Sequence, residues 1–156
     1  MRKQVAAVVL VAALSAPMPV RAAVTCSVSG GPLSFGALVT VGELAAANAS
    51  AQIELSCAPV AGVGGTIHYT IALLAGGTLN HGSTSMGYRL YSDVARTNSW
   101  GDGSGGTSVI TGTVTVPNTG PATARHGVYG EAEPNRGLVA GAYIESVVIV
   151  VEYVPQ

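Results

Sequence analysis

Residues 143–154 read Tyr-Ile-Glu-Ser-Val-Val-Ile-Val-Val-Glu-Tyr-Val, and this stretch decides the fold class. Side chains alternate between the two faces of a β-strand, so each parity defines one face. One face carries Tyr143, Val147, Ile149, Val151 and Tyr153, and the other carries Ile144, Val148, Val150 and Val154. A strand that is apolar on both faces is typical of a strand buried within a sheet. The stretch therefore predicts a buried β-strand late in the chain.

Five shorter stretches upstream have the alternating or Thr- and Val-rich pattern of β-strands. They are residues 52–57, 67–73, 86–90, 109–116 and 128–129. Turn signals rich in Gly, Asn and Pro separate them. Residues 42–49, which are Ala-rich, are the one candidate helix, with a loop as the alternative. Short strands at a spacing of roughly 8–12 residues predict an all-β protein with a β-sandwich fold.

The first 22 residues have the features of a secretory signal peptide. Arg2 and Lys3 form a positively charged start, and residues 5–14 are an apolar run too short to span a bilayer. A small residue precedes the expected cleavage site after Ala22. The alternative, a short buried helix, does not explain two prolines that follow the run. We predict a signal peptide at residues 1–22 and a single domain at residues 23–156.

Removal of this segment would leave a small acidic domain without lysine. The chain has seven basic and eight acidic residues, and three of the basic ones lie in the segment, so the net charge becomes about −4. A basic face for nucleic acid is therefore not expected. No remaining apolar run reaches the roughly 18 residues of a membrane span. Charged residues make up only 10% of the chain, and its many Val, Ile and Leu residues favour burial over disorder.

Two cysteines, Cys26 and Cys57, lie in the predicted mature domain. An even number of cysteines in an exported protein favours a disulfide, here one that ties adjacent strands. The bond would close a loop of about 31 residues, which is worth roughly 3–4 kcal/mol in the chain-entropy model. A zinc site is the alternative, but structural zinc needs four closely spaced ligands and no His lies beside either thiol. We therefore predict a Cys26–Cys57 disulfide.

A glycine-rich stretch at residues 101–106, Gly-Asp-Gly-Ser-Gly-Gly, invites two catalytic interpretations. It matches the GxGxxG spacing of dinucleotide sites, but a Thr- and Val-rich strand follows it where that motif needs a helix. It also resembles the sequence around a serine-protease nucleophile with one Gly inserted. The insertion would move the Ser104 hydroxyl away from the amides that stabilise an oxyanion. We interpret the stretch as a hairpin loop.

The remaining polar residues do not form a recognisable catalytic or metal-binding pattern. The histidines are His68, His81 and His126, and none has a metal-ligand partner at i+2 or i+4. The parity of His68 is opposite to that of its apolar neighbours, so we expect it to face solvent. Glu131 and Glu133 lie close together but are expected in a turn. We predict no enzymatic activity, no catalytic residue, no cofactor and no metal site.

Several short sequence motifs, which follow one another in the same order along the predicted mature chain, match one known family. The most specific is LYSDVART at residues 90–97, followed by WGDG at residues 100–103. The others are CSV at 26–28, LSFG at 33–36, IELSC at 53–57, YTIAL at 69–73, VYG at 128–130 and GAYIES at 141–146 with the apolar strand that follows. In these pieces the chain resembles the spore coat protein U domain of Csu-type, or archaic, chaperone–usher pilins.

The resemblance implies an immunoglobulin-like β-sandwich that lacks its last strand. In such pilins a periplasmic chaperone supplies that strand, and at an outer-membrane usher an extension of another pilin subunit replaces it. Main-chain hydrogen bonds then give affinity, and alternate side chains fill pockets. We expect the last strand to be the partner-binding edge, because it is apolar on both faces and only two residues follow it. The alternative is that an earlier strand of the chain covers this edge. The residues expected there are Tyr143, Val147, Ile149, Val151 and Tyr153.

One feature departs from the polymerising pilins, which carry a longer donor segment before the first core strand. Here only Ala23, Val24 and Thr25 lie between the expected cleavage site and Cys26. We therefore expect a minor or tip subunit of a surface pilus that aids adhesion and biofilm formation, and that passes through the periplasm to the cell surface. The alternative is a non-polymerising secreted or spore-coat module with a structural or binding role. A neighbouring chaperone–usher gene cluster would distinguish the two.

Overall fold

A computed structural model of the chain describes residues 24–35, 47–75, 77–133, 143 and 147–155. These residues form eight β-strands and no helix. The strands are β1 Val24–Gly30, β2 Ala47–Pro59, β3 Gly65–Ala75, β4 Thr78–His81, β5 Thr84–Tyr91, β6 Ile110–Val116, β7 Ala122–Ala132 and β8 Val148–Pro155. The prediction of an all-β protein is confirmed. The expected signal peptide at residues 1–22 lies outside the described residues.

The strands form two antiparallel sheets that pack face to face. The larger sheet has the order β1-β2-β7-β5-β4, and the smaller one has the order β6-β3-β8. The core lies between them, where alternate residues of each strand point inward. Its most deeply buried side chains are Leu55, Cys57, Ile67, Ile71 and Met86. The predicted β-sandwich is confirmed.

The candidate helix at residues 42–49 and its alternative, a loop, are both wrong where the structure describes this segment. Ala47 begins β2, which pairs with β7 from Ala47↔Ala132 to Cys57↔Ala122. Ala49 is buried in this ladder. A short Ala-rich segment is only marginally stable as a helix, so the long ladder and the burial of Ala49 outweigh its helix propensity. Residues 42–46 lie outside the described residues.

β7 is much longer than the two residues predicted for it. Gly127 and Gly130 weaken the strand pattern, but neighbouring side chains occupy the space that they leave. A Cβ at Gly127 would lie within 2.7 Å of the Tyr129 hydroxyl, and a Cβ at Gly130 within 2.6 Å of the Phe35 ring. Glycines that look like strand breakers in the sequence therefore make room for packing in the sheet.

Trp100 and Gly101 join the two sheets on one side of the sandwich. The Trp100 N–H donates to the carbonyl of Leu90 in β5 at 2.8 Å, and the Gly101 carbonyl accepts from the N–H of Leu73 in β3 at 3.1 Å. The indole Nε1–H of Trp100 also donates to the Ile71 carbonyl at 3.1 Å. The indole is buried, so it packs in the core while its polar atom is satisfied. We call this connection the Trp100 bridge.

The loop before the Trp100 bridge is organised by one carboxylate. Asp93 accepts hydrogen bonds from the N–H and hydroxyl of Thr97 and from the N–H of Asn98. These bonds, with that of Asn98 the largest cause, hold the pKa of Asp93 below its ordinary value. Arg96 in the same loop adopts a φ of 56°, and its Nε donates to the Gly130 carbonyl at 3.4 Å. The LYSDVART and WGDG pieces are thus parts of the scaffold.

The disulfide predicted between Cys26 and Cys57 is present. The two residues lie directly opposite each other in the β1–β2 ladder, with their Cα atoms 4.0 Å apart. Cys57 is fully buried. The bond fixes β1 to the larger sheet at the side of the sandwich opposite to β4.

Trp100→Phe should test the contribution of the indole N–H to stability. The variant keeps an aromatic ring but leaves the buried Ile71 carbonyl with one hydrogen bond fewer, so we expect the free energy of unfolding to fall by about 1–3 kcal/mol. Urea unfolding followed by circular dichroism measures the change. Val94→Ala is the control, because Val94 is 70% exposed and should change stability by less than about 0.5 kcal/mol. Equal stability of both variants would contradict the bridging role.

Cys26→Ala combined with Cys57→Ala should lower the free energy of unfolding by about 2–5 kcal/mol. The loss reflects the freedom that the unfolded chain gains when the 31-residue separation is no longer cross-linked. Urea unfolding of the variant, compared with the unmodified protein with and without dithiothreitol, gives the measurement. Two free thiols in the mass spectrum of the exported protein would show that the disulfide does not form.

Candidate functional site

β8 lies at the edge of the smaller sheet. It pairs with β3 from Ile67↔Pro155 to Ala75↔Val148. No described strand pairs with its other side. That side of β8 therefore presents main-chain N–H and C=O groups that an added strand could use.

The two faces of β8 differ in burial. Ile149, Val151 and Tyr153 point inward and pack against the core. Val148 and Val154 point outward and are 51% and 62% exposed. The strand is apolar on both faces, as the sequence indicated, but its outer face is not buried as that pattern predicted. The reason is the two-layer architecture, in which nothing described covers the outer face of either sheet.

The inner face of β1 is also incompletely covered. Val28 has the same parity as Val24 and Cys26, which point inward, but it is 38% exposed while Val24 is only 8% exposed. Its cross-strand partner Leu55 is fully buried. The described residues therefore leave Val28 partly open to solvent.

An apolar cavity of about 410 Å³ opens between the sheets near the start of β8. Tyr143, Val147 and Ile149 line it from the side of the smaller sheet. Side chains of the larger sheet and its connections form the floor: Ile53, Leu79, Tyr88, Leu90, Trp100 and Val128. Leu33 and Phe35, which follow β1, form a wall. We call this cavity, together with the free side of β8, the β8 groove.

Gly130 positions the wall formed by Leu33 and Phe35. A side chain at Gly130 would overlap with the ends of both residues, because its Cβ would lie 2.6 Å from Phe35 and 2.9 Å from Leu33. The Phe35 ring packs edge-on against Tyr88, with ring centroids 5.9 Å apart. The chain after β1 is thereby held over the inner face of β7.

The β4–β5 hairpin holds Tyr143 at one end of the groove. The Tyr143 hydroxyl lies 3.0 Å from Thr84 Oγ1, and its ring lies 5.3 Å from the His81 ring. Tyr143 is only 8% exposed. His81 is the last residue of β4. A hairpin that the sequence did not reveal therefore positions one of the predicted site residues.

The five residues predicted for the partner-binding edge differ in whether they line the cavity. Tyr143, Val147 and Ile149 line the cavity, whereas Val151 and Tyr153 lie farther along β8 and do not. Sequence reasoning missed the floor of the groove. Strand parity showed which side chains point inward, but it carries no information on which of them face an open space.

The three histidines occupy different environments, and none is part of the groove lining. His68 is exposed, as predicted, and its Nδ1 lies 2.8 Å from Thr113 Oγ1. His126 in β7 lies half-buried, with Nε2 2.9 Å from the Tyr69 hydroxyl of β3. Burial lowers the pKa of His126 and raises that of Tyr69. The His126–Tyr69 contact links the two sheets through their interior.

The glycine-rich loop also has a structural explanation. Ser104 Oγ donates to Asp102 at 2.6 Å, and this bond is the largest cause that lowers the pKa of Asp102. Gly103 adopts a φ of 87°, which favours glycine. A Cβ at Gly101 would overlap with the side chain of Thr107. The loop thus supports the backbone next to the Trp100 bridge. The hairpin-loop prediction is wrong, because the loop lies between β5 of the larger sheet and β6 of the smaller sheet, which do not pair with each other.

Glu131 and Glu133, which we expected in a turn, lie within β7 and directly after it. Glu131 lies within β7 and accepts a hydrogen bond from the Tyr91 hydroxyl at 3.2 Å, while Glu133 pairs with Arg89 at 3.6 Å. The turn prediction is wrong for Glu131, because β7 extends through it. Within the described ranges no cluster of three or more His, Cys, Asp or Glu residues could hold a metal ion. No helix of that part of the chain could cross a membrane.

The comparisons with known proteins agree with the resemblance seen in the sequence. The model of the Spore Coat Protein U (SCPU) domain family matches residues 13–150. The chain belongs to this family, whose members are structural pilin and coat-type domains associated with the cell surface. No curated protein matches the chain. The class of the protein is therefore that of pilus- or spore-coat-type structural proteins.

Acidification should destabilise the protein through His126. Burial lowers the pKa of His126 in the folded state, whereas the unfolded value is about 6.5. The stability contributed by the neutral ring is therefore present above about pH 6.5 and is lost as the pH falls from there through the folded-state pKa. Urea unfolding of the unmodified protein and of His126→Gln between pH 8 and pH 5 tests this. We expect the unmodified protein to lose more stability on acidification, and parallel curves would contradict the prediction.

Proposed function

We propose that the protein is a structural subunit of a surface pilus assembled by a periplasmic chaperone and an outer-membrane usher. In this proposal the β8 groove accepts a β-strand, first from the chaperone and then from another pilin subunit. The observation that carries the proposal is the apolar cavity of about 410 Å³ next to the side of β8 with which none of the described strands pairs. The combination of a free strand edge and an apolar groove suits strand addition.

An added strand would satisfy both features of the site. Its main chain would pair with the free side of β8 and extend the smaller sheet by one strand. Its inward side chains would fill the cavity beside Val147 and Ile149. Apolar surface removed from water contributes about 25 cal/mol per Å². The free energy of binding would therefore come from the apolar surface that the isolated subunit exposes to water.

The exposed apolar edge also explains why a chaperone would be needed. A free strand edge with apolar side chains is a template for uncontrolled pairing and aggregation. Val147, Val148 and Val154 are 38%, 51% and 62% exposed. A subunit with this edge would need a partner from the time it folds until its assembly into a fibre.

The proposed route through the cell agrees with the Cys26–Cys57 bond. Disulfides form in oxidising compartments such as the bacterial periplasm. We infer that residues 1–22 direct export and are removed, and that the domain at residues 23–156 folds in the periplasm. It would then act at the cell surface, as a minor or tip subunit that supports adhesion and biofilm formation.

Val147→Asp tests the proposal at the mouth of the groove. Val147 is already 38% exposed, so the charge should be tolerated in the isolated fold but would be buried in the complex. Burying an unpaired charge is strongly unfavourable. We expect loss of co-purification with the chaperone and periplasmic degradation of the subunit. Ile149→Asp should have the same effect.

Val148→Asp is the matched control, because this side chain lies on the outer face of the same strand and is 51% exposed. We expect it to keep most of the chaperone binding. Circular dichroism of each variant checks that the fold is intact. Full chaperone binding by both Val147→Asp and Ile149→Asp would refute the proposed site and favour a non-polymerising module.

A further inference from the structure

The cavity of the β8 groove lies along one half of its length. At the half we call the deep end, Val147 and Ile149 line the cavity from above, and Leu90, Trp100 and Val128 lie on its floor. The space extends from β8 to the inner face of the larger sheet. Side chains of an added strand could therefore reach far inward at this end.

The other half of the groove, which we call the shallow end, lies at Val151 and Tyr153. Neither residue lines the cavity. Their partners in β3, Ile71 and Tyr69, are 0% and 5% exposed. On the opposite sheet Cys57 is fully buried as well. The core at this end is already filled, so an added side chain would find little space below it.

The size of the deep end indicates how many side chains it takes. Water has a share of about 30 Å³ in the liquid, so a cavity of about 410 Å³ has room for the equivalent of roughly a dozen water molecules. Successive inward side chains of a strand are about 6.6 Å apart. Val147 and Ile149 are separated by one such step. Two successive inward side chains of an added strand would therefore share the deep end.

We infer that the partner strand is asymmetric, with two large apolar side chains at positions i and i+2 over the deep end and small side chains over the shallow end. This inference rests on the proposed strand-accepting function and specifies the chemistry of the partner. Small side chains over the deep end would leave an unfilled cavity, which is destabilising. Large ones over the shallow end would overpack a closed core. The groove would thus select strands by the order of their side chains as well as by their composition.

Fusion of the donor strand to the subunit gives a test in which its direction is known. An antiparallel neighbour of β8 can be joined to it by a short hairpin turn, so a donor strand is appended to the full mature chain after Gln156. In the first fusion, the inward residues of the donor strand opposite Val147 and Ile149 are Leu and Phe. Its inward residues opposite Val151 and Tyr153 are both Ala. A second fusion exchanges the Leu–Phe and Ala pairs. A Gly/Ser tail of equal length gives the baseline.

Thermal unfolding and the emission of Trp100 are measured for the three fusions. Trp100 is the only tryptophan in the chain, and it lines the deep end, so filling this end should shift its emission to shorter wavelength. We expect the fusion with Leu and Phe over the deep end to exceed the exchanged fusion in Tm by about 5 °C or more and to show the larger emission shift.

The outcomes separate the inference from the function on which it rests. Equal increases in Tm for both orders, relative to the Gly/Ser tail, would overturn the asymmetry and leave strand acceptance intact. A higher Tm for the exchanged fusion would also overturn it. If neither order raises Tm or changes the Trp100 emission, both the inference and the proposed function are wrong.

Discussion

The main-chain hydrogen bonds on either side of Trp100 determine how the two sheets face each other. One bond reaches Leu90 in the larger sheet and the other reaches Leu73 in the smaller sheet, so a single short segment belongs to both layers. Sheets that pack only through side chains can slide or splay, whereas shared backbone bonds fix their relative position. The sandwich is therefore closed at this point by the chain itself, and Trp100, which lies on the floor of the β8 groove, ties that floor to both layers.

The edge of the larger sheet at β1 is fixed by a covalent bond. The Cys26–Cys57 disulfide holds β1 in the larger sheet, directly across the β1–β2 ladder. β1 thus keeps its place although its inner residue Val28 is partly exposed. The β8 groove therefore lies between a larger sheet whose edge strand is covalently fixed and the ladder of β8 with β3, and such preorganisation lowers the cost of ordering on binding. The proposed function depends on this rigidity as much as on the apolar lining.

The sequence was sufficient to predict those strands that are determined by the pattern of their own residues. β3 and β6 have bounds close to those predicted, His68 in β3 faces solvent as its parity indicated, and the two cysteines pair as expected. The errors occur where the outcome depends on distant residues. Gly130 weakens the strand signal of β7, yet Phe35 occupies the space it leaves. The cavity was not predictable for the same reason, because periodicity shows the direction of a side chain and not what lies across from it.

The order of strands along the chain would have a consequence under the proposed export with the N-terminus first. β1 and β2 pair between residues 31 apart, whereas β8 must pair with β3 between residues as distant as Ile67 and Pro155. Contacts between distant residues form more slowly because a larger loop must close first. Under that proposal the disulfide-linked ladder would form while later strands were still being translocated. The smaller sheet would be completed last, so the edge that a partner would occupy would be exposed only at the end of translocation.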